Sequence, residues 1–224
     1  MKTFDLVVFD WDGTLMDSAA AIVRAILAAS LELGLTPPAE EMARRVIGLG
    51  LDEALRHVAP GLPSARYPEM ADAYRRHYFA GQRELVLFPG VEDLLARLAE
   101  RGFQLAVATG KSRRGLDAAL DGFHLRARFR ALRCADRCFS KPHPQMLLEL
   151  MEECGATPER TLMIGDTTYD LEMAKNANVA AVGVCYGAHP ASVLRAAAPL
   201  ACIESVAALS DWLEKNAKTK STGI

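Results

Sequence analysis

The sequence predicts an α/β protein with a Rossmann-like parallel sheet core and an inserted α-helical cap domain. Two observations support this fold class. Short apolar runs alternate with helical patterns over most of the 224 residues, and a region near the N-terminus has helical patterns without a convincing strand. We expect residues 1–15 and 86–215 to form the α/β core, residues 16–85 the helical cap, and residues 216–224 a disordered tail.

Four apolar runs end at glycine or polar residues, which is typical of strands buried on both faces of a parallel sheet. They are residues 6–9, 105–108, 161–164 and 179–184. Two segments are weaker candidates, namely residues 131–134 and, as an edge strand, residues 200–203. Because the connections between these runs are long enough for helices, the strands are expected to be parallel.

Leucine and methionine recur at helical spacing between the predicted strands. The pattern predicts helices over residues 91–101, 144–154 and 169–178, and glycine ends the first two. In the inserted region, one apolar stripe follows residues 22–31 and another follows residues 67–79. Residues 15–17 and 87–90 flank this region and are expected to act as hinges to the core.

The composition excludes several classes of protein. Half of the residues are hydrophobic, 24% are charged and the net charge is −2, so nothing favours nucleic acid or an anionic membrane as a partner. The chain has no run of 18 apolar residues and no signal peptide at its N-terminus. Five cysteines form neither a disulfide framework nor a zinc motif. We therefore expect a cytoplasmic protein, either a monomer or a homodimer.

The first polar cluster follows the first predicted strand. Asp10 and Asp12 are two residues apart at the end of an extended run, so their side chains point the same way. Neighbouring carboxylates raise each other's pKa unless a cation lies between them, and Mg²⁺ suits carboxylate and phosphate oxygens. Gly13 permits a tight turn away from the site. An isolated Asp-x-Asp would equally fit a solvated turn.

The second cluster is Thr109-Gly110-Lys111-Ser112. Gly-Lys-Ser is also the end of a P-loop, but that motif needs a glycine five residues before Gly110, and position 105 is leucine. The threonine hydroxyl and glycine amide at a predicted helix start would suit a phosphate group. The threonine would equally fit an ordinary helix cap.

Two later segments also place charged groups beside predicted strands or helices. Lys141 lies in a proline-rich turn before a helix, which favours a fixed position for its charge. Asp166 ends a buried strand, where an unpaired carboxylate would be costly. Asp170 follows near a helix start, where interaction with the helix dipole would also explain it.

These four clusters, in this order, resemble the haloacid dehalogenase superfamily of hydrolases. Asp10-x-Asp12-Gly13-Thr14-Leu15 is similar to its first motif, Thr109 to its second, Lys141-Pro142 to its third and Gly165-Asp166-x-x-x-Asp170 to its fourth. The insert resembles the small helical cap of the subgroup that contains phosphoglycolate phosphatases. Residues 87–91 resemble that subgroup's return from cap to core.

The resemblance implies a mechanism for phosphoryl transfer. Asp10 would attack phosphorus, and Asp12 would protonate the leaving alkoxide and later activate water. The phosphoryl oxygens would be held by Thr109, Lys141 and the amides of Trp11 and Gly110. Mg²⁺ would be bound by Asp10, the backbone carbonyl of Asp12 and Asp166, with Asp170 supporting it directly or through water.

The cap is expected to decide the substrate, because the core would contact mainly phosphate. Arg45 and the loop with Gly48 and Gly50 resemble the cap loop that meets the core, although they also fit a helix–helix turn. The second motif is often Thr-Asn in the closest phosphatases. Because Gly110 lacks that side chain, the motif does not indicate which substrate is preferred. Arg113 and Arg114 either face the site or cover a helix.

The resemblance favours a phosphatase for a small phosphorylated metabolite, with phosphoglycolate as the first candidate. A pyrophosphatase or a phosphosugar mutase would use the same fold. A phosphorylated receiver module is disfavoured because its phosphorylated aspartate lies on a later strand, and a binding protein because every catalytic position is filled. Asp12 disfavours halide displacement, since the dehalogenases lack an aspartate there.

Overall fold

The computed structural model describes residues 2–81 and 85–218, which contain ten strands and ten α-helices. The strands are β1 (Lys2–Thr3), β2 (Leu6–Phe9), β3 (Met16–Asp17), β4 (Val86–Leu87), β5 (Gln104–Thr109), β6 (Ala131–Cys134), β7 (Thr161–Gly165), β8 (Ala180–Val184), β9 (Cys202–Ile203) and β10 (Ala217–Lys218). The helices are α1 (Ala19–Glu32), α2 (Glu40–Arg45), α3 (Leu51–Val58), α4 (Tyr67–Ala80), α5 (Val91–Glu100), α6 (Arg113–Gly122), α7 (Gln145–Cys154), α8 (Thr168–Asn176), α9 (Ala191–Ala196) and α10 (Val206–Asn216).

A parallel sheet of six strands forms the centre of the core, in the order β6-β5-β2-β7-β8-β9. Strand β2 lies between β5 and β7, and Leu6 pairs with Gln104 on one side and Thr161 on the other. The predicted α/β fold class is therefore confirmed. Parallel strands end at the same edge, so the polar residues that follow β2, β5 and β7 are brought together there.

Side chains alternate between two hydrophobic layers, one on each face of the sheet. Val7 and Phe9 of β2 pack in a cluster with residues of α5, α6 and α10. Leu6 and Val8 pack on the opposite face with residues of α7 and α8. All four β2 side chains are buried, which explains the continuous apolar run in the sequence.

The four cap helices, α1 to α4, have a hydrophobic cluster of their own, which includes Ile22, Ile26, Leu55 and Met70. The chain passes between core and cap through an antiparallel pair of short strands, in which Met16 pairs with Leu87 and Asp17 with Val86. These strands coincide with parts of the two segments that we expected to act as hinges. Residues 82–84, at the end of the predicted cap, lie outside the described residues.

The C-terminal segment differs from the prediction of a disordered tail over residues 216–224. Asn216 is the last residue of α10, and β10 follows directly and pairs in parallel with β1. The side chain of Ala217 is fully buried, and the Phe4 amide donates a hydrogen bond of 2.7 Å to the Lys218 carbonyl. The prediction was wrong for residues 216–218, and residues 219–224 lie outside the described part of the chain.

Among the described residues, no helix is both long and apolar enough to cross a membrane. All five cysteines are free thiols.

Replacing Leu95 with alanine should destabilise the core, because this side chain is fully buried between α5 and the sheet. We expect the free energy of unfolding to fall by about 2–5 kcal/mol, the usual cost of a leucine-to-alanine cavity. Urea denaturation would measure this change. Leu31→Ala on the exposed side of α1 is the matched control, with an expected loss below about 0.5 kcal/mol. Equal losses would contradict the assignment of Leu95 to the core.

Candidate active site

Five charged or polar side chains meet at the carboxyl edge of the sheet. Asp10 follows β2, Thr109 ends β5 and Asp166 follows β7. Lys141 comes from the turn before α7, and Asp170 from the first turn of α8. All five are at most 1% exposed. The structure therefore brings together residues that are far apart in the sequence and that we predicted to share one site.

Lys141 forms ion pairs with two buried carboxylates. Its Nζ lies 2.8 Å from Asp10 Oδ1 and 2.7 Å from Asp170 Oδ1. Burial tends to lower the pKa of Lys141, but the two carboxylates outweigh burial and raise this pKa above its ordinary value. Burial also raises the pKa of Asp10, and the lysine only partly opposes it. The ammonium is therefore permanently charged and fixed between the two acids.

Asp166 is held by hydrogen bonds from two neighbouring segments. Thr14 Oγ1 donates to its Oδ1 over 2.8 Å, and the Ala188 amide donates to its Oδ2 over 2.7 Å. Burial and the nearby carboxylate of Asp170 raise the pKa of Asp166 to about 7. A Cβ at Gly13 would lie 2.2 Å from an oxygen of Asp166, and Gly13 has a φ of +83°. Only glycine allows the turn after β2 to approach this carboxylate so closely.

Asp170 is oriented by the start of its own helix. The Thr167 amide donates to Asp170 Oδ2 over 3.1 Å and the Asp170 amide donates to Thr167 Oγ1 over 3.3 Å, which makes a capping box for α8. The Thr167 hydroxyl also donates to Asp170 Oδ2 over 2.7 Å. The other oxygen, Oδ1, is the one paired with Lys141. Asp170 therefore lies at a helix start, as the alternative explanation through the helix dipole required, and it also belongs to the acidic cluster.

Asp10, Asp166 and Asp170 fit a hard divalent cation. Each offers an oxygen, and the three atoms lie within 4.8 Å of one another. Three carboxylates with one lysine leave an excess of negative charge in a buried place, which a cation would balance. Among the described residues, Asp10 Oδ2 is buried and has no hydrogen-bond partner. These residues would hold the ion, whereas the backbone carbonyl of Asp12 as a ligand stays a prediction.

The carboxylate of Asp12 lies outside this acidic cluster. Ser18 Oγ donates to Asp12 Oδ1 over 2.8 Å, and Lys111 Nζ lies 2.9 and 3.0 Å from its two oxygens. Lys111 Nζ also donates to the hydroxyl of Tyr78 over 2.9 Å. A second charged pair therefore lies beside the first, and it connects the core to cap helix α4.

Two of the groups that we expected to hold a phosphate, the Trp11 amide and the Thr109 hydroxyl, have hydrogen-bond partners within the protein. The Trp11 amide donates to Asp10 Oδ1 over 2.6 Å, so in this structure it orients the acid. The hydroxyl of Thr109 is buried and accepts a hydrogen bond from the Lys111 amide over 3.2 Å. Thr109 also faces the space between core and cap.

A cavity of about 940 Å³ lies between the sheet edge and the cap. Its core wall includes Asp10, Asp12, Thr109, Gly110 and Lys111. Its cap wall is mainly apolar and aromatic, with Ile22, Ile26, Leu51, Leu55, Tyr74, Tyr78 and Phe79. The size is at the upper end of ordinary small-molecule pockets. A phosphate at Asp10 would therefore place the rest of a substrate against the cap.

The cap loop approaches the core closely at Gly110. A Cβ at this position would lie 2.3 Å from the Leu49 carbonyl oxygen and 2.6 Å from that of Gly48, so a larger residue would push the loop away. Gly48 has a φ of +99° and lines the cavity, as does Gly50. The Gly50 amide donates to Ser140 Oγ over 2.8 Å. This hydrogen bond joins the cap loop to the core.

The structure does not bring the side chain of Arg45 to the cavity. Its side chain is 64% exposed and pairs with Glu41 at 2.6 Å on the same helix. Its backbone carbonyl oxygen accepts a hydrogen bond of 3.1 Å from His189 Nε2. Arg113 pairs with Asp117 and covers α6, whereas Arg114 lines the cavity.

Several residues of the site had no assigned role in the sequence analysis. Ser18 and Tyr78 lie in the inserted region, and a serine before a helix and a tyrosine in an apolar stripe do not by themselves indicate a site. Lys111 was considered only as part of a P-loop motif, which the sequence does not match. His189 accepts from the Thr168 amide over 3.1 Å, and burial lowers its pKa, so it supports α8 as a neutral ring. No local pattern marks it.

Comparison with known proteins identifies the family to which this arrangement belongs. A model of haloacid dehalogenase-like hydrolases matches residues 7–184. The chain belongs to this family. Probable phosphatase IndB of Dickeya dadantii is 39% identical to it over 208 residues, covering 89% of each chain. A phosphoglycolate phosphatase of Pseudomonas putida is 35% identical over 211 residues, covering 91% of this chain and 78% of the relative.

Solved structures agree with this family. The crystal structure of a predicted phosphatase from Clostridium acetobutylicum superposes with a TM-score of 0.84 at 26% identity, covering 95% of this chain and 99% of that one. This member of the haloacid dehalogenase-like hydrolases is therefore a phosphatase, that is, a phosphoric monoester hydrolase.

Binding of Mg²⁺ should depend on pH, because the cation must displace protons from the acidic cluster. The raised pKa of Asp166 means that, from about pH 4 to about 7, the folded metal-free protein keeps a proton that the unfolded chain has lost. The contribution of Asp166 to the stability of the metal-free protein therefore falls as pH rises through that window. Since a group with a pKa of about 7 is mostly protonated at pH 6, apparent Mg²⁺ affinity should be about tenfold weaker at pH 6 than at pH 8.

Isothermal titration at the two pH values would measure this difference. Asp166→Asn should abolish most of the binding, and Asp211→Asn, which changes an exposed residue of α10, should leave it unchanged. The same affinity at pH 6 and pH 8 would contradict a cation site that includes a carboxyl of raised pKa.

Gly110→Ala should weaken catalysis by moving the cap loop. The added Cβ would meet the carbonyl oxygen of Leu49, and small displacements around reacting groups can cost up to about 10²-fold in rate. We expect a fall in kcat/KM, measured by phosphate release, with the fold retained. Gly61→Ala is the matched control, since a Cβ there meets nothing within 4 Å. Equal activity of the two variants would show that the close approach at Gly110 has no function.

Proposed function

We propose that this phosphatase is Mg²⁺-dependent and transfers the phosphoryl group of a small phosphorylated metabolite to Asp10 before water releases it. One observation carries the proposal. Asp10 follows a central strand and lines the cavity, with Oδ1 held by Lys141 and the Trp11 amide. Its buried Oδ2 has no hydrogen-bond partner in the part of the chain that the structure describes. A carboxylate fixed through one oxygen and open at the other suits a nucleophile.

In the first step, a carboxylate oxygen of Asp10 forms a bond to phosphorus and the bond from phosphorus to the leaving oxygen breaks. A carboxylate is repelled by a phosphate dianion, and the fixed charge of Lys141 offsets this repulsion. Mg²⁺, when bound, would supply further positive charge that stabilises the phosphoryl oxygens. Thr109, which lines the cavity, would donate its hydroxyl to one of those oxygens.

Asp12 would transfer the protons. It lies two residues after Asp10, lines the same cavity and is held by Ser18. In its protonated form it would give a proton to the leaving alkoxide, and the resulting carboxylate would then take a proton from the water that hydrolyses the aspartyl-phosphate, which restores the acid. Proton transfer of this kind contributes on the order of 10²–10⁴ in rate.

Phosphoglycolate is the first substrate to test. A relative at 35% identity carries the name phosphoglycolate phosphatase, whereas the relative at 39% is named only as a phosphatase. The cavity of about 940 Å³ also has room for larger esters such as sugar phosphates. Release of phosphate and product isomerisation should therefore be followed together, over phosphoglycolate, pyrophosphate, sugar phosphates and nucleotides. Isomerisation without net phosphate release would favour a mutase.

We also propose a cytoplasmic location and a monomeric or homodimeric state. Five free thiols support a reducing compartment. The net charge of −2 supports the absence of a nucleic acid partner.

Asp10→Asn should remove activity because an amide cannot replace the carboxylate as nucleophile. We expect kcat with p-nitrophenyl phosphate and Mg²⁺ to fall at least about 10³-fold, as for loss of a covalent nucleophile. Chelation of Mg²⁺ should have a comparable effect on the unaltered protein. Asp211→Asn is the control and should retain full activity. An Asp10→Asn protein as active as this control would rule out the mechanism.

A further inference from the structure

Lys111 lies where core and cap meet, and the proposed function gives it no part. It follows β5, and its side chain is 12% exposed. Its ammonium lies 2.9 Å from Asp12 Oδ1, 3.0 Å from Asp12 Oδ2 and 2.9 Å from the hydroxyl oxygen of Tyr78. A lysine ammonium has three N–H donors, so each has an acceptor.

The two partners of Lys111 come from different parts of the fold. Asp12 belongs to the turn after β2 of the core, whereas Tyr78 lies on α4 of the cap. Tyr78 is only 7% exposed, and its ring stacks on that of Tyr74 with centroids 5.8 Å apart. The tyrosine hydroxyl can therefore reach Lys111 only while α4 lies over the sheet edge.

Asp12 depends on few groups for its orientation. Ser18 Oγ donates to one oxygen of this carboxylate, and the Tyr78 hydroxyl also interacts with it. Lys111 contacts both oxygens and therefore restricts rotation of the carboxyl plane most directly. Proton transfer requires the acid within hydrogen-bond reach of the leaving oxygen, so the direction of this carboxyl matters for the rate.

We propose that Lys111 is a positioning residue that holds the carboxyl of Asp12 toward the leaving group, and that Tyr78 holds Lys111 in place when the cap covers the core. This inference rests on the proposed role of Asp12 as the acid. Lys111 acts through Asp12, whereas Lys141 supplies the fixed charge beside Asp10. The cap thereby takes part in proton transfer as well as in enclosing the substrate.

The test compares two kinds of leaving group. p-Nitrophenolate departs without a proton, whereas an alkoxide needs one from Asp12. Values of kcat/KM report steps up to the departure of the leaving group, so they should be measured for p-nitrophenyl phosphate and for the alkyl monoester that the unaltered enzyme hydrolyses fastest. Lys111→Met keeps an unbranched side chain without the charge. We expect a loss of about 10²-fold for the alkyl ester and less than about tenfold for p-nitrophenyl phosphate.

Two further variants complete the comparison. Tyr78→Phe removes only the hydroxyl. It should also lower kcat/KM more for the alkyl ester than for p-nitrophenyl phosphate, with a smaller loss for the alkyl ester than Lys111→Met causes. Added to Lys111→Met, it should cause no further loss, since both changes remove one chain of contacts. Lys215 is an exposed residue of α10, and Lys215→Met should leave kcat/KM unchanged for both substrates.

Equal losses for both substrates in Lys111→Met, or no loss for either, would overturn the proposal. A loss confined to esters that carry a carboxylate, and seen mainly in KM, would overturn it in favour of substrate binding by Lys111. If Lys111→Met does not fold, the selective loss in Tyr78→Phe decides the matter in the same way. Failure of the unaltered protein to hydrolyse p-nitrophenyl phosphate with Mg²⁺ would instead contradict the proposed function itself.

Discussion

The ammonium of Lys141 between two buried carboxylates is the interaction on which the rest of the site depends. It lies 2.8 Å from Asp10 and 2.7 Å from Asp170, and all three side chains are at most 1% exposed. Charges removed from water cost several kcal/mol each, so these groups can remain ionised only in contact with one another. Because Asp166 adds a third carboxylate, negative charge is in excess. Burial and that excess together raise the pKa values of Asp10 and Asp166, and the excess also favours a divalent cation.

The backbone and the cap provide the dry surroundings that this cluster needs. Gly165 and Gly187 let the main chain pass where a Cβ would lie 2.3 Å from atoms of Asp170 and Asp166. The cap loop then closes on Gly110, and α4 brings Tyr78 to Lys111. Electrostatic interactions strengthen as water is excluded, so closure of the cap would strengthen the contacts of the core with a phosphate.

The sheet and the meeting of its polar residues could be predicted because both follow from local patterns. Buried parallel strands are continuous apolar runs, and parallel strands end at one edge. A helix start after Gly110 was predicted, but the extent of α6 was not, and neither were α9 and α10: α6 includes Gly115 and ends at Gly122, and α9 has only six residues. Contacts between core and cap, such as Lys111 with Tyr78, depend on how two units pack and leave no periodic signal. The direction of the Arg45 side chain likewise depends on how α2 is rotated.

The covalent role of Asp10 can be tested by trapping its phosphorylated form. Asp12→Asn should slow hydrolysis of the aspartyl-phosphate more than its formation from p-nitrophenyl phosphate, whose leaving group needs no acid. After acid quenching and proteolysis, mass spectrometry should find one added phosphoryl group on the peptide containing Asp10, and only when Mg²⁺ was present. Release of p-nitrophenol with an unmodified Asp10 peptide, or with the phosphoryl group on another residue, would contradict this account.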